Sequence, residues 1–331
     1  MQAKRSLRNR SQRKNKKRIL KFVSALIVVL IALAVFLVPA FVSSEKGRKI
    51  ILTKINNSID GKTDFAGLSM SWWRGIKVTD FSFNDSADLT FVKIKQITTK
   101  PHYGSILLGS LSFGKTIIDE PKVKINLKHP SPARAEGSRQ EVSAGKRAQP
   151  IILPIKKIDL VVNDGNLKVT DPQAGTVDLA QINSKVNLRP SGQQTSFDID
   201  MAVVKKGKES KIRADGQIIA KEQTGWTFKG TSGDLTAEVN DLDLGSLGPL
   251  LAWAGVELDA EGKVSADIKS EIKDGRLENL SADIKAEKLD ITGPLLKGDR
   301  LKTNTLDVQA KLVRQQKMIH VENLDITADW L

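Results

Sequence analysis

The chain has 331 residues, a net charge of +14, five per cent aromatic residues and no cysteine. Without cysteine there are no disulfides, thiolate metal sites or thiol nucleophiles. Ten of the basic residues, with no acid among them, lie between Met1 and Lys21; the rest of the chain sets 42 basic against 38 acidic residues, so no basic groove for a nucleic acid is implied.

Residues 1–21 read as a basic cytoplasmic tail. Phe22 to Val42 follows without a charge, interrupted only by Ser24 and Pro39. As a helix these 21 residues rise about 30 Å, the thickness of a bilayer's hydrocarbon. The positive-inside bias places the N-terminus in the cytoplasm and the rest of the chain across the membrane. A transmembrane anchor at 22–42 is the expectation; the alternative is a signal peptide cut within Ala40–Ser44. Residues 44–60 read as an amphipathic helix, capped by Ser44, with Ile51, Ile55 and Ile59 on one face and Gly61 as terminator. Its Lys46, Arg48 and Lys49 are candidate membrane-surface residues; the same helix would equally close one end of the next domain.

Beyond Gly61 the apolar period changes to two, predicting roughly sixteen strands with one wet and one apolar face, mostly antiparallel. Residues 61–129 form a first β segment. Within it GSLSFGKT (109–116) matches the phosphate-loop pattern. That loop needs a helix after it, whereas Ile117, Ile118 and Pro121 make a poor helical start, and Ile106–Leu108 also read as strand. No ATP binding is therefore expected at Gly109, Lys115 and Thr116; Gly109 and Gly114 read as strand-breaking kinks. Trp72 and Trp73 are interfacial anchors or, by preference, the cap of a core.

Residues 130–150 have few apolar side chains and three prolines, and read as a loop or linker. Residues 151–331 form the second β segment. Here Asn163-Asp164-Gly165, Lys206-Gly207 and Asp274-Gly275 read as hairpin turns, and Pro249 starts a short helix near 249–254.

The alternating positions define one apolar face: Val123, Ile125 and Leu127; Phe197, Ile199 and Met201; Val264 and Ile268; Leu306 and Val308; Leu324 and Ile326. Several further positions on it are alanine (214, 237, 266, 282, 286, 310, 328), where two sheets packed core to core favour larger side chains. An open face of this kind leaves room for guest hydrocarbon; a closed sandwich or barrel core is the plainer reading of the same alternation. His102, His129 and His320 are far apart, without ligand spacing, and read as exposed polar residues. There is no Gly-x-Ser-x-Gly elbow. The chain is not expected to be an enzyme or to carry a cofactor or metal.

The order of features carries a resemblance. A basic start, one apolar span and a short helix precede LSMSWWRGIKV (68–78). Then come GSLSFG (109–114), IDEPKV (118–123), IDLVVNDGNLKVTDP (158–172) and LDLGSLGPLLAWAGVELDAEGKV (242–264). From about residue 20 onward this resembles the AsmA-like proteins of bacterial envelopes, relatives of TamB. The resemblance implies a chain that is mainly β with an N-terminal transmembrane helix: a long, curved, mostly antiparallel sheet folded into an apolar groove. It implies anchoring in the inner membrane, a periplasmic bulk, and phospholipid acyl chains as the groove's cargo toward the outer membrane. An assembly factor that adds strands to outer-membrane or other envelope proteins is the second implied role. The chain departs from many relatives in being short, and Leu324–Trp330 still alternates as the sequence stops, as expected of a fragment or a short member.

Overall fold

A computed structural model describes residues 36–127, 155–205, 207–221, 230–296, 299–315 and 318–329. Most of the apolar span, the basic tail and the 130–150 segment lie outside these. Residues 36–42 are helical, and no helix among the described residues is long and apolar enough to cross a membrane.

Helix α1 (Glu45–Asn56) begins where Ser44 accepts a hydrogen bond from the Gly47 amide at 3.2 Å, as its capping chemistry predicts. It stops short of Ile59, because the Asn56 side chain turns to hold both main-chain groups of Thr63 at 2.7 and 3.0 Å. Strands β1 (Gly61–Asp64) and β2 (Gly67–Ser71) follow, then β3 (Gly75–Asp85), β4 (Thr90–Pro101), the short α2 (Tyr103–Leu107) and β5 (Leu111–Asn126). After the 128–154 segment come β6 (Ile155–Asp171), β7 (Gly175–Leu188), β8 (Gln194–Lys205), β9 (Lys208–Ile219) and β10 (Ser232–Asp243). A 3₁₀ turn at Leu244–Ser246 and α3 (Gly248–Trp253) lead to β11 (Asp259–Lys273), β12 (Arg276–Thr292), β13 (Arg300–Gln315) and β14 (Met318–Ala328).

All fourteen described strands belong to one open, curved sheet. They run in chain order from β3 to β14, with β1 and β2 placed end to end along the outer edge of β3. Neighbours are antiparallel except β5 and β6, which pair in parallel. A parallel pair needs a crossover of about a dozen or more residues, and 128–154 supplies that length. The two β segments read from the sequence are thus joined through β5 and β6 into a single sheet. At strand spacing it extends about 60 Å from the β1/β2 edge to β14.

The described strands number fourteen where roughly sixteen were predicted, and one expected pair is the two halves of a single strand, β6. Asn163-Asp164-Gly165 is not a hairpin turn: Asp164 has φ of 51° but sits in mid-strand, as a bulge. Asp80, Glu120, Gln181, Asp241 and Lys288 take the same left-handed conformation inside β3, β5, β7, β10 and β12. Each lets the apolar positions change parity while staying on one face. β6 presents Ile158, Leu160 and Val162 before its bulge and Leu167 and Val169 after it. Such bulges bend a strand and sharpen its twist. The turns expected at Lys206-Gly207 and Asp274-Gly275 do close hairpins, through the pairs Lys205–Lys208 and Lys273–Arg276.

Candidate functional site

The candidate site is the apolar face of the sheet. Residues paired across strands share a face, so the register states which side chains lie together. One row crosses the whole sheet: Leu68, Val78, Ile97, Ile118, Val162, Ser184, Ile199, Ala214, Ala237, Ile268, Ala282, Ala310, Leu324. Ser184 is its single polar member. A second row passes through Phe83, Val92, Val123, Leu167, Leu179 and Val203. Both rows include β8, where Ile199 and Val203 are four residues apart with no bulge between them, so both lie on the same face.

The register brings the predicted residues together. Val123 pairs with Val92 and Leu167, and Ile125 with Val169. Phe197 pairs with Val186, Met201 with Ile212, and Val264 with Leu242 and Ala286. Leu306 pairs with Ala286 and Ala328, and Val308 with Ile284 and Ile326. Leu127, just past the end of β5, packs against the buried cluster that includes Val169. The alanines noted in the sequence lie in these rows, and Ala214, Ala237, Ala282 and Ala310 share the row that holds Ile268.

How much of the face is covered follows from burial. Among the described residues only Val169, Val177, Val203 and Pro249 are large side chains that are fully buried. The buried cluster of Val169, Val177, Leu179, Val203 and Leu242 lies where the 244–253 segment crosses β6 and β7 and sets Leu247 and Leu250 on them. That helix matches the sequence expectation closely: Pro249 stands in its first turn, and Gly255, with φ of 71°, follows its end. Beside it a cavity of about 960 Å³ is lined by Leu251, Val256, Leu258 and Pro294 together with Asp171, Glu257 and Asp259. Elsewhere Ile199, Ile268, Ile284, Leu306 and Val308 are half-buried, touched by same-sheet neighbours, and on β14 Leu324 and Ile326 are exposed. A recess of about 350 Å³ lies over Leu235, Leu280 and Leu312. An apolar surface this continuous exceeds the scattered exposed residues of an ordinary soluble domain.

The opposite face carries the charges. Arg213 lies 3.6 Å from Asp198 and 3.8 Å from Asp200, and Lys311 lies 2.9 Å from Glu322, which raises the lysine's pKa. Arg300 grips Asp290 with two hydrogen bonds of 2.7 and 2.5 Å and holds that carboxyl below the usual range. Lys95 pairs with Glu120 on the neighbouring strand and is raised by it.

The two sheet edges differ. Along β1 runs α1, fastened by Arg48, which donates to the Phe65 carbonyl at 2.6 Å and pairs with Glu45 at 2.9 Å and Asp64 at 3.1 Å. Arg48 is therefore turned onto the sheet, while Lys46 and Lys49 are exposed. β14 has no strand on its outer side among the described residues.

Within GSLSFGKT the chain leaves α2, not a strand, and enters β5 at Leu111, so Ile106 and Leu107 are helical where strand was expected. Gly109, with φ of 78°, lies in the turn; Gly114 stays within β5, at a point where the pairing with both β4 and β6 slips. Thr116 is buried and bonds Thr99 at 2.7 Å. His102 is exposed and shares a 2.9 Å hydrogen bond with Ser112; His129 lies outside the described residues. No cluster of metal-ligating side chains occurs among the described residues.

The fold and face define a class: a single-layer, open β-sheet with one continuous apolar side. Comparison with known protein families, with curated proteins and with solved structures gives no match to this chain.

Proposed function

We propose that this chain is a membrane-anchored envelope protein whose apolar sheet face forms a groove that shields phospholipid acyl chains in transfer between membranes. The reading is carried by one observation: an apolar row unbroken except at Ser184 spans the sheet, and among the described residues most of it has no second layer upon it. Left-handed residues at six mid-strand positions, four of them at register slips, bend the strands and favour a lengthwise groove. Each methylene moved from water onto such a face is worth about 0.8 kcal/mol, independent of headgroup, which suits bulk lipid. The uncharged 22–42 stretch, the basic tail and the order of motifs shared with AsmA-like proteins support an inner-membrane anchor with a periplasmic bulk. No catalytic, cofactor or nucleotide role is part of the proposal.

The test is lipid content. Full-length protein, extracted in detergent and exchanged into amphipol, should carry phospholipid detectable by native mass spectrometry. Ile199→Asp and Ile268→Asp should lose most of it while keeping the wild-type circular dichroism. Lipid at background in the wild type would refute the proposal. A second reading rests on the open edge of β14, whose residues are exposed from Met318 to Thr327. Such an edge accepts a strand from a client envelope protein. It predicts crosslinks from β14 to protein and none from Ile268 to lipid.

A further inference from the structure

The two tryptophans of the 68–78 motif have different surroundings. Trp72 lies edge-on to Tyr103, with ring centres 4.9 Å apart, and the Tyr103 hydroxyl donates to the Ser71 carbonyl at 3.4 Å. Burial raises the Tyr103 pKa. This contact joins the β2–β3 turn to α2. From the joined pair two large apolar side chains point away from the protein: Trp73, 86% exposed, and Leu108, 88% exposed. Neither serves the sheet face or the core. The same corner holds the start of the described chain, because the Met70 amide donates to Ser43 Oγ at 2.9 Å. Just before Ser43 stands the helical segment 36–42, whose Phe36, Leu37 and Phe41 are also exposed.

The charge at this corner is mostly of one sign: the adjoining acids Glu45 and Asp159 are paired with Arg48 and Arg189. Residues 66–79 and 98–116 contain Arg74, Lys77, Lys100 and Lys115 and no acidic residue, while the chain as a whole carries 38 acids. All four basic side chains are exposed. Apolar side chains stand out beside cations, next to a helix that leads into fourteen further uncharged residues (22–35). This order matches the layering of a bilayer surface: acyl boundary, then anionic headgroups.

We infer that Trp73 and Leu108 form a bilayer-docking pair that seats the β1/β2 end of the sheet on an anionic lipid surface, with Arg74 and Lys100 at the headgroups. The inference rests on the anchored reading above. It goes beyond an anchor, since a single helix fixes the chain to the membrane but not which end of the sheet meets lipid.

The cysteine-free chain makes the test clean. Single cysteines at Arg74, at Asp325 on the far edge and at Leu30 in the apolar stretch each carry an environment-sensitive fluorophore. Full-length protein is reconstituted into phosphatidylethanolamine–phosphatidylglycerol vesicles, with and without lipid spin-labelled near the headgroup, read at 74 and 325, or in mid-chain, read at 30. Quenching is expected at 74 and 30 and not at 325, and Trp73→Asp with Leu108→Asp should at least halve the quenching at 74 without altering that at 30. Quenching at 30 but not at 74, or quenching at 74 that ignores the double substitution, overturns the docking pair and leaves the anchor intact. Absence of quenching at 30 overturns the anchored reading itself, and the docking pair with it. Both substituted side chains are exposed, so unchanged circular dichroism is expected of the variant.

Discussion

Truncation to alanine should affect Val203 and Ile268 differently, because one side chain is covered and the other is not. Val203 is 2% exposed and belongs to the buried cluster on which Leu247 and Leu250 pack. Losing its two methyl groups removes about 1.6 kcal/mol of transfer energy at about 0.8 kcal/mol per carbon, and the cavity left behind brings the cost to about 2–3 kcal/mol. Ile268 loses three carbons. In a closed core that would cost about 3–4 kcal/mol by the same reckoning. But Ile268 is only half-buried, flanked across the strands by Ala237 and Ala282, and leaves no cavity where water already reaches. Counting the transfer energy of the covered part alone, without a cavity term, predicts about 1.5–2 kcal/mol. Urea unfolding of lipid-free protein, followed by far-UV circular dichroism, measures both, with the m-value unchanged in each. A cost of about 3 kcal/mol or more for Ile268→Ala would mean that another layer of protein covers this face, and the reasoning would fail.

Three further outcomes follow from the geometry. Gln181 holds φ of 52° at the β7 bulge, so Gln181→Gly should be neutral or stabilising by up to about 1 kcal/mol, whereas β-branched Gln181→Val should cost about 1–2 kcal/mol in the same assay. Arg48→Met removes the hydrogen bond to the Phe65 carbonyl and the pairs with Glu45 and Asp64; about 1–2 kcal/mol of local stability should go, seen as faster amide exchange over Glu45–Asn56 and not over β11–β13. Asp290 has its carboxyl held low by Arg300, so its contribution is fully present above the unfolded value of about 3.9 and is lost as pH falls through the lower folded value. The stability difference between wild type and Asp290→Asn should therefore be constant above about pH 5 and shrink as the pH falls below about 4; a difference that grows on acidification would contradict the pairing.

The face was legible in the sequence because period-two alternation is a direct image of the pleat. Val264–Ile268 and Leu306–Leu312 show it without interruption, and the register brings those residues together. The bulges hid better. At Asn163-Asp164-Gly165 the residues announce a positive φ, and Asp164 has one, but the same chemistry serves a hairpin turn and a mid-strand bulge alike. The available signal was the parity slip from Ile158, Leu160 and Val162 to Leu167 and Val169. At Gln181 and Lys288 no residue type warns of the left-handed conformation. Ile106–Leu108 read as strand because three apolar residues have no period, and the pairing of Tyr103 with Trp72 decides for a helix instead. The parallel neighbourhood of β5 and β6 is set across the long 128–154 connection, beyond the reach of local pattern. Trp73 and Leu108 could not be told from core residues by type alone; only the fold shows that nothing packs on them.

Whether the apolar face meets lipid can be asked of a single position. A photoreactive benzoylphenylalanine is placed at Ile284 in full-length protein and irradiated in native membranes, with Lys285 on the opposite face as the control. A phospholipid adduct at 284 and none at 285 is the expected result. Adducts at 284 confined to the protein's own chain, or to another protein, would contradict it.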